Sequence, residues 1–155
     1  KMNKRKISNL ILLGSRIRPL QYFGNFFTIT ESGKNISNAI INKCNQIKND
    51  NRGLNYIGSC ALGAVFEADQ HIRGIDCINS IGDGNFIKKY LLYYYPDLNK
   101  IINVNFRYYN TNCKNKKIRC SQKFYGSLYS FIVTLNEVYN LSREQIARKV
   151  KRIGF

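Results

Sequence analysis

The chain is poor in the residues that most catalytic sites require. Of its 155 residues only His71 is a histidine and nine are acidic. It has no glycine-rich phosphate-binding loop, no Gly-x-Ser-x-Gly elbow and no set of His and carboxylate residues with metal-ligand spacing. An enzyme would have to pair His71, as a base, with Cys60 or Cys77 as the nucleophile. The sequence therefore favours binding over catalysis, and it indicates no cofactor.

Cysteine is present, but not in the pattern of a disulfide framework or a zinc site. The five cysteines are Cys44, Cys60, Cys77, Cys113 and Cys120. Their number is odd, no two form a Cys-x-x-Cys pair, and six residues separate the last two. We therefore expect reduced thiols, most of them small core side chains, and no bound metal.

Long hydrophobic runs are also missing. No 18 consecutive residues are apolar, so no segment is predicted to span a membrane. Residues 1–6 followed by 7–13 have the outline of a signal peptide, but Ser8 and Asn9 interrupt the apolar run and no small-residue cleavage site follows. We interpret this segment as part of the fold.

What the chain does have is enough apolar side chain for one core. Hydrophobic residues make up 44% of the chain and aromatic residues 13%, and a length of 155 residues is typical of one domain. No repeat, linker or low-complexity stretch divides it. We predict a single domain over 1–155 with a basic N-terminal arm at 1–6.

The charge of the chain is one-sided. There are 25 Lys and Arg residues and 9 Asp and Glu residues, which gives a net charge of +16. Residues 1–48 carry +8 and residues 98–155 carry +10, whereas residues 49–97 carry −2. This excess predicts a polyanionic partner. Part of the lysine content has a second explanation, because an A+T-rich coding sequence enriches Asn, Ile, Lys and Tyr together.

Several helices are predicted from apolar spacing and from capping residues. Apolar residues recur at helical spacing over 37–47, and the small residues of 54–69 predict a buried helix packed closely against a neighbour. Asp83 is placed to cap a helix over 85–95, and Pro96 ends it.

Strands are predicted in two places. The β-prone apolar residues of 7–31 are compatible with short strands. Residues 101–109 alternate in polarity, which predicts a strand with Ile102 and Phe106 on one face. The polar segment 110–120 is basic and contains no acidic residue, so it is predicted to be an exposed loop.

The C-terminal third has the clearest pattern. Apolar residues at spacings of three and four predict an amphipathic helix over 128–139. Ser142 and Gln145 form the sequence of a capping box for a second helix, and Leu141 and Ile146 occupy the hydrophobic-staple positions. The fold class predicted is α+β, a mostly helical single domain with a few short strands and a C-terminal helical hairpin.

Three stretches of basic residues are candidates for contacts with phosphate groups. They are Lys4, Arg5, Lys6, Arg16 and Arg18 near the start, Lys114, Lys116, Lys117, Arg119 and Lys123 in the predicted loop and after it, and Arg148, Lys149, Lys151 and Arg152 at the end. Tyr108, Tyr109, Phe124 and Tyr125 are candidates for stacking on unpaired bases, with a place in the core as the alternative.

Two motifs resemble those of a known group of proteins. Cys-Ala-Leu-Gly-Ala at 60–64, and Leu-Asn-Glu at 135–137 followed by Leu-Ser-Arg-Glu-Gln-Ile-Ala at 141–147, are similar to motifs of small tailed-phage and prophage proteins with no established activity. The resemblance implies a phage or mobile-element setting and no particular reaction. Where those proteins carry a Cys-Pro-x-Cys-like pair, this chain has Cys113 and Cys120 further apart, which weighs against a metal site.

The leading prediction is therefore non-catalytic binding of nucleic acid, mainly through phosphate contacts. The alternative is a virion-associated or host-interaction protein that binds an acidic protein, and a Cys/His enzyme is a third possibility. The expected location is the host cytoplasm or the virion. The leading prediction requires that the basic stretches lie on one side of the folded molecule.

Overall fold

A computed structural model describes residues 5–24, 26–31, 34–35, 57–76, 80, 82–110 and 118–155. These residues form an α+β single-domain fold, as predicted. The helix predicted over 37–47 lies outside the described residues. No helix among the described residues has the length and apolar character needed to cross a membrane.

Along the described chain, one helix is followed by three strands, two helices, two strands and two further helices. The helices are α1 (Ile7–Ile17), α2 (Ala61–Ile72), α3 (Gly84–Tyr94), α4 (Leu128–Glu137) and α5 (Arg143–Arg152), with a 3-10 turn over Pro96–Asn99. The strands are β1 (Phe27–Glu31), β2 (Lys34–Asn35), β3 (Ile57–Ser59), β4 (Ile101–Asn110) and β5 (Ile118–Ser127). β1 pairs antiparallel with both β2 and β3, and β4 pairs antiparallel with β5.

The first apolar segment begins with a helix, so the prediction of short strands was wrong over the residues of α1. Ile7, Leu10, Ile11 and Gly14 are buried along one face of this helix, at the spacing of three and four that a helix requires. An amphipathic helix buries such a stripe in one piece, and α1 buries it against α2 and α5. The helical period therefore outweighs the β-propensity of the isoleucines. Among the described residues of 7–31, β1 is the one strand that agrees with the prediction.

Close packing of α2 confirms what its small residues predict. A Cβ on Gly14 of α1 would lie 1.9 Å from the carbonyl oxygen of Ala64, and a Cβ on Gly63 would lie 2.2 Å from the carbonyl oxygen of Phe26. Any larger residue at either position would collide with main-chain atoms. The two glycines therefore set the distance at which α2 meets α1 and the start of β1.

Helix starts follow the local sequence. Asp83 Oδ1 accepts a hydrogen bond from the main-chain N–H three residues later at 3.0 Å, which confirms the predicted cap. Ser142 Oγ accepts from the Gln145 N–H at 3.1 Å, and Gln145 Oε1 accepts from the Ser142 N–H at 2.8 Å, which confirms the capping box. The helix predicted from residue 54 instead begins after Cys60, because β3 occupies the preceding residues.

The strand predicted over 101–109 is one half of a long hairpin. β4 and β5 pair over their full lengths, from Ile101 opposite Ser127 to Asn110 opposite Ile118. The prediction of a loop over 110–120 was wrong at its ends, because Asn110 belongs to β4 and residues 118–120 belong to β5. The two strands are also longer than the short ones expected. Polar residues fill most of β5, so apolar alternation does not reveal it.

The inner face of the hairpin packs against α4. The ring centroids of Phe106 and Phe124 lie 5.6 and 5.1 Å from that of Phe131, and Tyr139 lies 5.1 Å from Phe106. Ile102 and Phe106 are buried on this face, as predicted. The odd-numbered side chains of β4 must therefore point the other way.

Candidate nucleic-acid interface

The outer face of the hairpin, which points away from α4, carries the odd-numbered residues of β4 and β5. Successive side chains of a strand point to opposite faces, so the register fixes five cross-strand pairs here. They are Ile101 and Ser127, Asn103 and Tyr125, Asn105 and Lys123, Arg107 and Ser121, and Tyr109 and Arg119. The outer face thus combines basic, amide and aromatic side chains and has no acidic residue.

The charged and aromatic side chains of the outer face are exposed. Tyr125 is 77% exposed and Tyr109 is 56% exposed, and Arg107, Arg119 and Lys123 are also exposed. None of these three cations forms an ion pair with another described residue. Their charges are therefore available to an anion from outside the molecule.

Side chains of α5 reach β4 and add further cations. Lys149 Nζ donates a hydrogen bond to the main-chain oxygen of Arg107 at 2.6 Å. Arg148, Lys149 and Arg152 line a groove of about 160 Å³ together with Arg107 and Tyr109. A neighbouring groove of about 350 Å³ shares Arg107, Lys149 and Arg152. Cations from distant parts of the sequence therefore meet at one place.

This region, called the basic surface below, has six members. They are Arg107, Arg119, Lys123, Arg148, Lys149 and Arg152. The charges act on one another: burial lowers the pKa of Lys149, and the charges of Arg152 and Arg119 lower it further. Since Arg119 belongs to β5 and Arg152 to α5, the cations of the hairpin and of the helix repel one another. A bound polyanion would relieve that repulsion.

Five members of the basic surface were predicted from the sequence, whereas Arg107 was missed. A single arginine within an apolar strand gives no charge pattern. The signal that was available is the alternation of β4, which places Arg107 on the opposite face from the buried Phe106.

Some of the described candidates near the N-terminus lie near α5, and others do not. Ser8 Oγ donates a hydrogen bond to the main-chain oxygen of Phe155 at 2.7 Å, so the start of α1 meets the end of α5. Arg5 and Lys6, both exposed, therefore adjoin the last turn of α5. Arg16 is exposed at the other end of α1, away from this contact.

Lys151 is exposed but points away from Lys149. At 100° per residue it is about 200° around the helix from Lys149, and it lines neither groove. The remaining predicted phosphate contacts, Lys4, Lys114, Lys116 and Lys117, lie outside the described residues.

Arg18 is not on the surface, so its place among the phosphate contacts was wrong. The residue is 5% exposed, and its Nε lies 3.2 Å from Glu67 Oε1 of α2. The side chain follows α1 directly and turns onto the neighbouring helix, where the carboxylate offsets the cost of burying a cation.

Arg143 is a second buried arginine, and sequence reasoning did not single it out. It is 2% exposed. Its Nη1 donates to the main-chain oxygen of Arg18 at 2.6 Å and to Ser59 Oγ at 2.8 Å, and its Nη2 donates to the main-chain oxygen of Pro19 at 2.7 Å. Burial lowers its pKa. Arg143 thus ties the start of α5 to the segment after α1 and to the end of β3.

Two of the four predicted stacking residues belong to the core. Tyr108 packs on Tyr139 with ring centroids 4.5 Å apart, and Phe124 packs against α4. Both lie on the inner face of the hairpin, so the core alternative is correct for them. Tyr109 and Tyr125, on the outer face, keep their rings exposed.

Cys60 and His71 do not form a nucleophile and base pair. Cys60 caps the start of α2 and His71 lies in its last turn, about 16 Å away along the helix axis. Burial raises the pKa of the Cys60 thiol to about 11, which keeps it protonated. Cys77 lies outside the described residues, among which no group of three or more His, Cys, Asp or Glu residues could hold a metal ion.

Comparison of the chain with protein-family models, with curated proteins and with solved structures returns no match.

Proposed function

We propose that this chain binds nucleic acid without catalysing a reaction, through contacts between phosphate groups and the basic surface. The observation that carries the proposal is the convergence of cations from β4 and α5 around one pair of grooves. Lys123 of β5 lines a third groove together with Arg107. None of these cations is ion-paired with another described residue. A polyanion supplies the negative charge that the protein itself does not place there.

Because it brings several cations together, the basic surface fits a chain of phosphate groups better than it fits an isolated carboxylate. Four of its six members are arginines, and each guanidinium offers a planar fork of donors that matches phosphate oxygens. Lys123, Arg107 and Arg119 follow one another along the paired strands β4 and β5, as the charges of a phosphate backbone do. Binding would release the counterions held by that backbone, so its affinity must depend strongly on salt.

The test is a titration of a fluorescein-labelled 20-nucleotide oligonucleotide, followed by anisotropy at several salt concentrations. For about six phosphate contacts, we expect the affinity of the wild-type chain to fall roughly 100- to 1,000-fold between about 50 and 200 mM salt. The slope of log affinity against log salt is negative. Replacing Arg148, Lys149 and Arg152 by Gln should make it less negative by roughly 2. Lys89→Gln, an exposed position on α3, is the control and should leave the slope unchanged.

The same experiment has an outcome that overturns the proposal. If the wild-type chain binds no oligonucleotide at the lowest salt, the basic surface does not contact nucleic acid. An acidic protein is then the partner to test, by a pull-down with and without nuclease. A partner that survives nuclease treatment binds the protein directly, whereas one that is lost was held by nucleic acid.

The biological setting that we propose is a tailed phage or prophage, with the protein acting in the host cytoplasm or in the virion. The support for this setting is the resemblance of the motifs at 60–64 and 141–147 to those of small phage proteins.

A further inference from the structure

Two tyrosines lie near opposite ends of the outer face, with cations between them. Tyr125 lies opposite Asn103, and Tyr109 lies opposite Arg119. Positions 103 and 109 of β4 are six residues apart, which is about 20 Å along a strand. Arg107 and Lys123 lie between the two tyrosines on the same face.

Neither tyrosine belongs to the hydrophobic core of the described residues. Tyr125 is 77% exposed and Tyr109 is 56% exposed. Neither ring packs on another described aromatic ring, although their strand neighbours on the inner face do so. Exposed aromatic rings beside unpaired cations are characteristic of surfaces that stack nucleic-acid bases.

We propose that the outer face of the hairpin is a platform for single-stranded nucleic acid, with bases stacked on Tyr109 and Tyr125 and phosphates held by the cations between them. This inference rests on the proposed function and narrows it to one class of nucleic acid. A base can stack on a side chain only when its face is free, and in a duplex the neighbouring base pairs cover that face. A duplex could therefore use the cations but not the tyrosines.

The polar residues between the tyrosines fit the same ligand. Asn103 and Asn105 are exposed on the outer face, and each amide offers both a donor and an acceptor. Exposed base edges of a single strand carry the matching groups. Because every base has a ring face, stacking of this kind tolerates most sequences.

The experiment compares ring-removing variants on two labelled probes, a 12-nucleotide oligothymidylate and a 12-base-pair duplex. Tyr109→Thr and Tyr125→Thr keep the β-propensity of the strand while they remove the ring. We expect each variant to bind the single strand about 10-fold more weakly and to bind the duplex with unchanged affinity. Tyr125→Phe should keep wild-type affinity, because its ring can still stack.

A matched control lies on the same face. Ile101 is 62% exposed on the outer face of β4, and Ile101→Thr introduces the same residue without removing an aromatic ring. It should bind both probes as the wild type does. Circular dichroism of every variant shows whether the fold is kept.

The possible results separate this inference from the proposed function. If the wild-type chain binds neither probe at low salt, the proposed function itself fails. If it binds the probes but the threonine variants bind the single strand as tightly as the wild type, the chain binds nucleic acid and the stacking platform is wrong. An equal loss on both probes would also overturn the platform.

Discussion

The arginines of this chain divide between two regions with opposite surroundings. Where α1, α2 and α5 meet, Arg18 and Arg143 are 5% and 2% exposed and are held by Glu67 and by main-chain oxygens. On the basic surface, Arg107 and Arg152 are exposed and form no ion pair with another described residue. Both regions contribute to the net charge of +16, but only the second can meet a ligand.

The difference shows why a charge count overstates the size of a binding site. A cation that is buried and held by groups of the protein is not available to a partner. In the helical junction, a carboxylate and carbonyl oxygens occupy the places that phosphate oxygens would take. Stability and binding therefore depend on different cations, and substitutions can separate the two.

The largest loss of stability is expected from removing Arg143. Arg143→Met deletes three hydrogen bonds and leaves Ser59 Oγ and two main-chain oxygens without that donor. The free energy of unfolding should fall by about 3 to 5 kcal/mol, measured by urea denaturation followed by circular dichroism. Arg148→Met, at an exposed position of the same helix, should change it by less than about 0.5 kcal/mol. Equal losses in both variants would erase the distinction between the two regions.

A smaller loss is expected where α1 crosses α2. Gly14→Ala would place a methyl group 1.9 Å from the carbonyl oxygen of Ala64, so the helices must separate, at a cost of about 1 to 3 kcal/mol. Gly84→Ala is the matched control, because its Cβ would lie 3.6 Å from the ring of Phe26, an ordinary contact. Thermal unfolding of the two variants measures the difference. Nucleic-acid affinity of the folded Gly14→Ala protein should be unchanged, since the basic surface lies elsewhere.

A third test concerns the buried carboxylate of Asp69. Tyr95 donates a hydrogen bond to it at 2.5 Å, so Tyr95→Phe should cost about 1 to 2 kcal/mol at neutral pH. Burial raises the pKa of Tyr95 above its ordinary value of about 10, and the bond to Asp69 raises it further.

The direction of the pH dependence follows from that shift. Because the folded chain holds the Tyr95 proton more tightly than the unfolded chain does, this stabilisation is complete below about pH 10 and is lost as the pH rises further. The stability difference between the wild type and Tyr95→Phe should therefore narrow above pH 10 in urea denaturation. A constant difference across this range would mean that Tyr95 is not held in this way.

Local features of the fold could be predicted from the sequence, whereas long-range ones could not. The caps at Asp83 and Ser142 involve residues three positions apart, so the sequence contains both partners side by side. Arg143, in contrast, is buried by groups from Arg18 and Ser59, more than 80 positions away, and no local pattern distinguishes it from Arg148.

For the candidate site, too, residues that cluster in the sequence could be predicted, whereas those placed by long-range contacts could not. The basic residues of α5 were predicted because they cluster in sequence. Arg107 and the partition of Tyr108 from Tyr109 depend on which face of β4 packs on α4, and that is decided by Phe131 and Tyr139. Arg18 was assigned to the surface because its partner Glu67 is distant in sequence.

The most direct test of the central claim compares two double variants that lose the same charge. Arg107→Gln with Arg152→Gln removes two cations of the basic surface, whereas Lys88→Gln with Lys89→Gln removes two exposed cations of α3, outside it. The slope of log affinity against log salt for a single-stranded oligonucleotide should become less negative by about 1.4 in the first variant. It should stay at the wild-type value in the second. Equal slopes in the two variants would show that net charge alone governs binding and that the basic surface is not the site.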